Sequence, residues 1–375
     1  MTGKNNKPKI AVIGAKGFPA WGGAARSNEA IFTRLKNQYD VTVYAIDSHA
    51  KEQNYRGIRQ IILRGHANKK LSTFFYYVKS LLHALLKGNY DLVHVNHRAA
   101  GFLVPFLKLR FPVLLNVHGM PYENDGKWKG HEKSLFKVSQ WFGYRFADQI
   151  VTVQKGSVKL LEQYNPGKVV FIPNGVEDHL SYYNLASQKV YDISFSAARI
   201  IYLKGLHLLL IALNEIQFKG AINVIGDLDQ VGEYKRELLQ LSKSLNCNFF
   251  GLLQNKEELF NKIRQSKFFV FPSYSEGMSN MLLEVASIKV PIIASDIPQN
   301  TEVFSKKEML FFKSGDAADL KDKIIWAFDN YDKMQLKAEN AYRKVKNDYS
   351  WERIALMFDD VYKNVMRGHI ERNSN

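Results

Sequence analysis

Residues Phe268 to Ser295 read FFVFPSYSEGMSNMLLEVASIKVPIIAS, and this stretch decides the fold. Phe268-Phe269-Val270-Phe271 is an apolar, β-forming run of the length expected for a strand buried on both faces. Pro272 and Ser273 end it. Glu276-Gly277-Met278-Ser279-Asn280 then forms a loop, with Ser279 or Asn280 as the N-cap of a helix that carries Met281, Leu282, Leu283, Val285 and Ala286. A second apolar strand follows over Val290 to Ala294. The result is a β-loop-α-β unit with one carboxylate, Glu276, just before the helix and another, Glu284, inside it.

Unpaired backbone N–H groups and the helix dipole at such a helix start favour an anion such as phosphate. Gly277 lets a ligand come close to the backbone. A carboxylate repels phosphate but accepts hydrogen bonds from hydroxyls. Glu276 and Glu284 around an anion site therefore suit a ligand with phosphates in the middle and sugars at both ends. An ordinary capping loop with one solvated glutamate would use the same residues, and spacing alone leaves both open.

The string PSYSEGMSNMLLEVAS, followed by VPIIASD, resembles the donor-site signature of the retaining glycosyltransferases of family four. That resemblance implies a GT-B fold: α/β, with two Rossmann-like domains whose parallel sheets face each other across a cleft. It also implies that Glu284 holds ribose hydroxyls, that Glu276 touches the donor sugar, and that Gly277, Met278, Ser279 and Asn280 line the donor.

At 375 residues the chain is too long for one ordinary core and predicts two domains. The lone cysteine, Cys247, excludes a disulfide framework and reads as a small buried hydrophobe. No signal peptide is evident, and no run of about 18 apolar residues predicts a membrane span. The net charge is +16, and it is unevenly placed. Residues 1–180 hold 26 Lys and Arg against 12 Asp and Glu, an excess of 14, whereas residues 181–375 have an excess of only 2. This predicts an anionic partner for the N-terminal half alone. A nucleic acid would explain the charge but not the paired glutamates, so the expected partner is an anionic membrane surface.

Lys9 to Ile13 is a strand that feeds the glycine-rich turn from Gly14 through Gly17 to Gly22 and Gly23, and a helix to Leu35 follows. The spacing is not the dinucleotide fingerprint, which argues against hydride transfer. The turn is similar to the opening of bacterial rhamnosyltransferase-like glycosyltransferases, which implies donor-binding roles for Gly17 and Gly23. Where that group usually has an aromatic and a glutamate after the paired glycines, this chain has Ala24 and Ala25.

Strands and helices then alternate, predicting a parallel sheet covered on both faces. The helix over Leu71 to Leu86 is expected to place Leu71, Phe74, Phe75, Val78, Leu81, Leu82 and Leu85 on one face. It has two readings: that face packs on the sheet, or the lysines and aromatics mark a membrane-interfacial segment. The polar segment Glu177 to Lys189 is the expected hinge. This gives an acceptor-binding domain over 1–180, a nucleotide-sugar domain over 190–349, and a closing helix over 350–375 that crosses back to the first domain.

Arg199 and Lys204 follow a strand, where open α/β sheets bind ligands. They read either as solvated surface cations or as a diphosphate clamp, in which Arg grips two oxygens and Lys adds a point charge. The resemblance favours the clamp and adds Gly226, at the end of the next strand. It also implies that His118, closing a strand of the first domain, meets the donor sugar. His94 and His97 are expected to be structural, and Glu123 or Asp125 could meet an acceptor hydroxyl. No cluster has metal-ligand spacing, so no metal cofactor is expected. The expected reaction is transfer of a hexosyl or rhamnosyl group from a nucleotide-diphosphate-sugar to a glycan or lipid-linked acceptor, with retention, at the cytoplasmic face of a membrane. The alternative is a non-hydrolysing sugar-nucleotide epimerase.

Overall fold

A computed structural model describes residues 7–20, 23–66, 68–118, 130–185 and 188–374. It divides into two compact units, Met1–Asn174 with Trp351–Asn375, and Gly175–Ser350.

The first unit is built on an eight-stranded sheet. Its strands are β1 (Lys9–Lys16), β2 (Asp40–Ile46), β3 (Asn54–Tyr55), β4 (Ile58–Leu63), β5 (Leu92–Asn96), β6 (Val113–Val117), β7 (Gln149–Thr152) and β8 (Val169–Phe171), in the order β3-β4-β2-β1-β5-β6-β7-β8. All pairings are parallel except β3 with β4, an edge hairpin that the alternating pattern does not reveal. The helices are α1 (Gly23–Leu35), α2 (Lys69–Lys87), α3 (Val104–Leu107), α4 (Gly130–Phe146) and α5 (Val158–Glu162). A 3-10 segment over Arg98–Leu103 runs into the single turn of α3.

The second unit has six parallel strands: β9 (Tyr191–Arg199), β10 (Ala221–Asp227), β11 (Asn246–Phe249), β12 (Ser266–Phe271), β13 (Ile292–Ser295) and β14 (Leu310–Phe312). Their order is β11-β10-β9-β12-β13-β14. Around them lie α6 (His179–Tyr182), α7 (Leu206–Glu215), α8 (Gly232–Leu241), α9 (Lys256–Arg264), α10 (Asn280–Ser287), α11 (Pro298–Thr301), α12 (Ala317–Asp329) and α13 (Tyr331–Asp348). Each sheet is buried on both faces, which explains why its central strands are continuous apolar runs rather than alternating ones.

The break between units falls after Asn174 rather than near residue 180, because the chain from Gly175 is already bonded to the second unit. Val176 N–H donates to Tyr349 O at 2.7 Å, and Val176 bridges Ser350. The segment expected to be an aperiodic hinge contains α6, with His179 buried.

The last helix, α14 (Trp351–Ser374), belongs to the core of the first unit. Ile354, Phe358 and Tyr362 are buried with Phe32 of α1 and Val12 of β1. Tyr39 Oη donates to Asp359 Oδ1 at 2.6 Å within this layer. A buried hydrogen bond to a charged group contributes roughly 1.5–3 kcal/mol.

Helix α2 departs from expectation. It buries Tyr76, Tyr77, Ser80 and Ala84, while Leu71, Phe74, Phe75 and Leu82 of the predicted core face are exposed. The tyrosine side is held because Tyr76 Oη donates to Tyr44 O and accepts from Gly14 N–H, both at 2.8 Å. Among the described residues no helix is long and apolar enough to cross a membrane.

Candidate functional site

In the second sheet, chain order runs outward from β9 in both directions, so strand order reverses between β9 and β12. Crossovers leave opposite faces on either side of that point, which opens a crevice beyond the carboxyl ends of the two strands. The predicted donor residues gather around it. Arg199 is the last residue of β9, exposed, and in register with Asp227 of β10. Lys204 closes a 3-10 turn over Tyr202–Lys204, and this turn is tied to the loop after β12 by Tyr274 N–H donating to Leu203 O at 2.9 Å. That loop carries Glu276. Lys204 Nζ and Glu276 Oε1 form an ion pair at 2.6 Å, with Glu276 only 9% exposed.

The loop ends at Ser279, which is the N-cap of α10: its Oγ accepts from Leu282 N–H at 3.3 Å. This resolves the choice between Ser279 and Asn280. Asn280 opens the helix, and its buried Oδ1 has no hydrogen-bond partner among the described residues. Gly277 lies partly exposed in the loop, while Met278 leans on the core beneath. Helix α10 is amphipathic, with Leu282, Leu283, Val285 and Ala286 buried and Glu284 on its open side.

Glu284 is not alone. Lys256 Nζ, at the start of α9, lies 2.6 and 2.7 Å from its two carboxylate oxygens. The sequence reading missed Lys256, because nothing in its neighbourhood links it to a helix 28 residues later. His179 of α6 stands beside this pair, its ring centroid 4.3 Å from that of Phe260. Burial pushes its pKa down to about 4, against the raising influence of Glu284.

Gly226 has φ +145°, and a Cβ there would lie 1.8 Å from Ala197 O. In the first unit, Gly17 has φ +117°, and a Cβ would press on Ala50 and Ala45. Both positions require glycine for the protein's own packing, whatever a ligand adds.

The first sheet reverses order between β1 and β5, and its polar groups collect there too. β1 ends at Lys16, at φ 66°, and Gly17 follows. Gly23 opens α1. At the end of β5, His97 has φ 137°, uncommon outside glycine, and its Nδ1 caps the following turn by accepting from Ala99 N–H. His118 directly follows β6 and donates from Nε2 to Asn96 Oδ1 at 2.6 Å. Burial, with His97 adding repulsion, pushes its pKa down to about 3, so the ring is neutral at pH 7. His94 is fully buried and hydrogen-bonded to Tyr362 Oη at 2.8 Å. Glu123, Asp125 and Gly22 lie outside the described residues.

Residues 21–180 match the model described as Glycosyltransferase Family 4, and residues 158–345 match Glycosyl transferases group 1. An uncharacterized glycosyltransferase of Methanocaldococcus jannaschii is 24% identical over 358 residues, covering 92% of this chain and 95% of the relative. The O-antigen biosynthesis glycosyltransferase WclY of Escherichia coli is 24% identical over 296 residues, 74% of this chain and 80% of the relative. Among solved structures, Anabaena HepE in complex with UDP and glucose superposes with a TM-score of 0.73 at 16% identity, covering 95% of this chain and all of the other (100%). The two doubly wound units thus form a GT-B fold, and with half its length matched by one family model the chain belongs to the glycosyl transferases group 1.

Proposed function

We propose that the protein transfers a hexosyl or rhamnosyl group from a nucleotide-diphosphate-sugar to a hydroxyl of a glycan or lipid-linked acceptor, with retention, in cell-surface polysaccharide synthesis. The observation that carries this reading is the gathering of Arg199, Lys204, Glu276 and the start of α10 at the reversal point between β9 and β12. Such a set supplies positive charge and helix-end donors for a diphosphate, and carboxylates for hydroxyls on either side. HepE, bound to UDP and glucose, supports a donor of this class, and WclY, named for O-antigen synthesis, supports the pathway.

In this reading Glu284 accepts hydrogen bonds from the ribose hydroxyls, with Lys256 fixing its carboxylate. Arg199 and Lys204 hold the diphosphate, Glu276 meets the donor sugar, and Gly277, Met278, Ser279 and Asn280 form the floor. Asn280 Oδ1 accepts from the ligand. As the sugar leaves, charge grows on the diphosphate, and fixed cations with an oriented helix end stabilise it without a metal. Gly17, Gly23 and neutral His118 serve the sugar and acceptor side. The protein works at the cytoplasmic face of a membrane, as a peripheral enzyme.

Two experiments test this. Thermal-shift screening of nucleotide-sugars should find one that raises Tm, since a ligand that binds the folded state stabilises it. That donor should turn over only when acceptor is added, with the product retaining the donor's anomeric configuration. Turnover of nucleotide-sugar alone would indicate an epimerase instead, and an inverted product would overturn retention.

A further inference from the structure

The outward side of α2 is apolar where a surface helix is normally polar. Leu71, Phe75, Leu82 and Leu86 are 46%, 40%, 51% and 77% exposed. Their spacings of four, seven and four residues place them on one stripe, and exposed Lys79 stands within it. Neighbouring elements continue the pattern. Phe106 and Leu109, in and just after α3, are 52% and 82% exposed, and Leu135 and Trp141 of α4 are 70% and 47% exposed. The buried sides of α2, α3 and α4 share one core cluster, so these helices cover the same sheet face. Phe74 stacks on Phe102 at 6.1 Å, joining α2 to the turn before α3. On the other sheet face, among the described residues, α1 and α14 expose only Leu356 and Ile370 as large apolar side chains. An apolar surface this continuous marks an interaction site rather than scattered exposure.

Charge identifies the occupant. From Lys69 to Lys87 the chain has four lysines and no acidic residue, and from Arg98 to Arg110 it has three further cations, of which Lys108 is paired with Asp148 at 3.2 Å. Nucleic acid would call for the cations but not for a leucine stripe. A protein partner would call for the stripe but not for a one-signed frame. An anionic bilayer calls for both.

We propose that the outer face of α2, α3 and α4 docks on an anionic phospholipid bilayer. Leu71, Phe75, Leu82 and Leu86 enter the boundary between headgroups and acyl chains, while Lys79 and the flanking cations stay among the headgroups. The inference rests on the peripheral-membrane reading above and names the surface that performs it.

The test is sedimentation of the full chain with vesicles of phosphatidylcholine alone or mixed with phosphatidylglycerol. Binding should require the anionic lipid and fall as salt is added. Lys79→Glu should weaken it at least fivefold, equivalent to about 1 kcal/mol for one basic residue at the surface. The double variant Leu82→Ser with Leu86→Ser should weaken it at least tenfold. Both side chains are exposed, so the thermal shift given by UDP should be unchanged in that variant, reporting an intact fold. Equal binding to neutral vesicles, or binding to neither, would overturn the proposal. So would adsorption that ignores the leucine variant, binding abolished by competing duplex DNA, or self-association without lipid that the same variant removes. If no nucleotide or nucleotide-sugar shifts the unmodified protein, the donor reading fails, whatever the vesicles show.

Discussion

Lys204 Nζ stands 2.6 Å from Glu276 Oε1, so the cation assigned to the diphosphate is already held by the carboxylate assigned to the sugar. The pair spans the two loops beyond β9 and β12, and it keeps a nearly buried carboxylate compensated while no ligand is bound. In the proposed reading, an arriving diphosphate competes with Glu276 for the same ammonium group.

Glu276→Gln should therefore separate binding from turnover. Without its competitor, Lys204 is available to phosphate, so a nucleoside diphosphate should bind the variant as tightly as the wild type or more tightly in calorimetry. Turnover of the nucleotide-sugar should fall at least tenfold, about 1.4 kcal/mol of transition-state stabilisation. Weaker diphosphate binding in the variant would contradict this account of the pair.

The Glu284–Lys256 pair should behave as one unit. Glu284→Ala should lower kcat/KM for the donor at least tenfold, about 1.4 kcal/mol. Lys256→Met should raise donor KM with a smaller change in kcat, because Glu284 keeps its acceptor oxygens but loses the group that aims them. If Lys256→Met lowers Tm and leaves KM untouched, the lysine is structural only.

Arg199→Ala and Lys204→Ala should each weaken a nucleoside diphosphate more than the bare nucleoside, because only the diphosphate uses their charge. Activity should survive EDTA. Equal losses for both ligands would sink the clamp, and loss in EDTA with rescue by a divalent ion would sink metal-free catalysis.

Two histidines give the first unit a pH dependence of definite sign. His94 and His118 are pushed down to about 3, chiefly by burial. Unfolded, each titrates near 6.5 and so takes up protons that the folded form refuses. Stability from this source is fully present above about pH 6.5 and drains away as pH falls toward 3. His94 alone should contribute on the order of 2 kcal/mol between pH 7 and 5. His94→Gln should flatten the dependence of Tm on pH over that range, and an unchanged slope would show that His94 does not supply it.

The positions of the residues proposed for the donor were legible because their types are tied to local features: a helix start, a strand end, a glycine. Arg199, Lys204 and Glu276 could each be placed at a strand end from the sequence, and the strand order then makes those ends neighbours. Lys256 was not legible, because its partner depends on how α9 and α10 pack. In α2 the sequence offers two apolar stripes, and periodicity cannot choose between them. It favoured the leucines and phenylalanines by hydrophobicity, whereas the sheet takes the tyrosine stripe. Tyr76 alone can satisfy Gly14 N–H and Tyr44 O, and buried backbone groups left unpaired would cost more than an exposed leucine. The domain break was misjudged by a few residues for a related reason: polar composition suggested a linker where Val176 is already tied to Tyr349 and Ser350.

Helix α14 has a consequence for how the chain is born. Phe32, Tyr39 and His94 are synthesised early, but the residues that cover them, Phe358, Asp359 and Tyr362, emerge only after the whole of Gly175–Ser350. At roughly 5–20 residues per second on the ribosome, that delay is on the order of ten to thirty seconds. The inner unit can close while still tethered, since its two ends meet at Val176 and Ser350. The outer unit must wait with the part of its sheet face that α14 covers exposed. Until the last helix emerges, the nascent first unit therefore exposes apolar side chains that the finished chain buries.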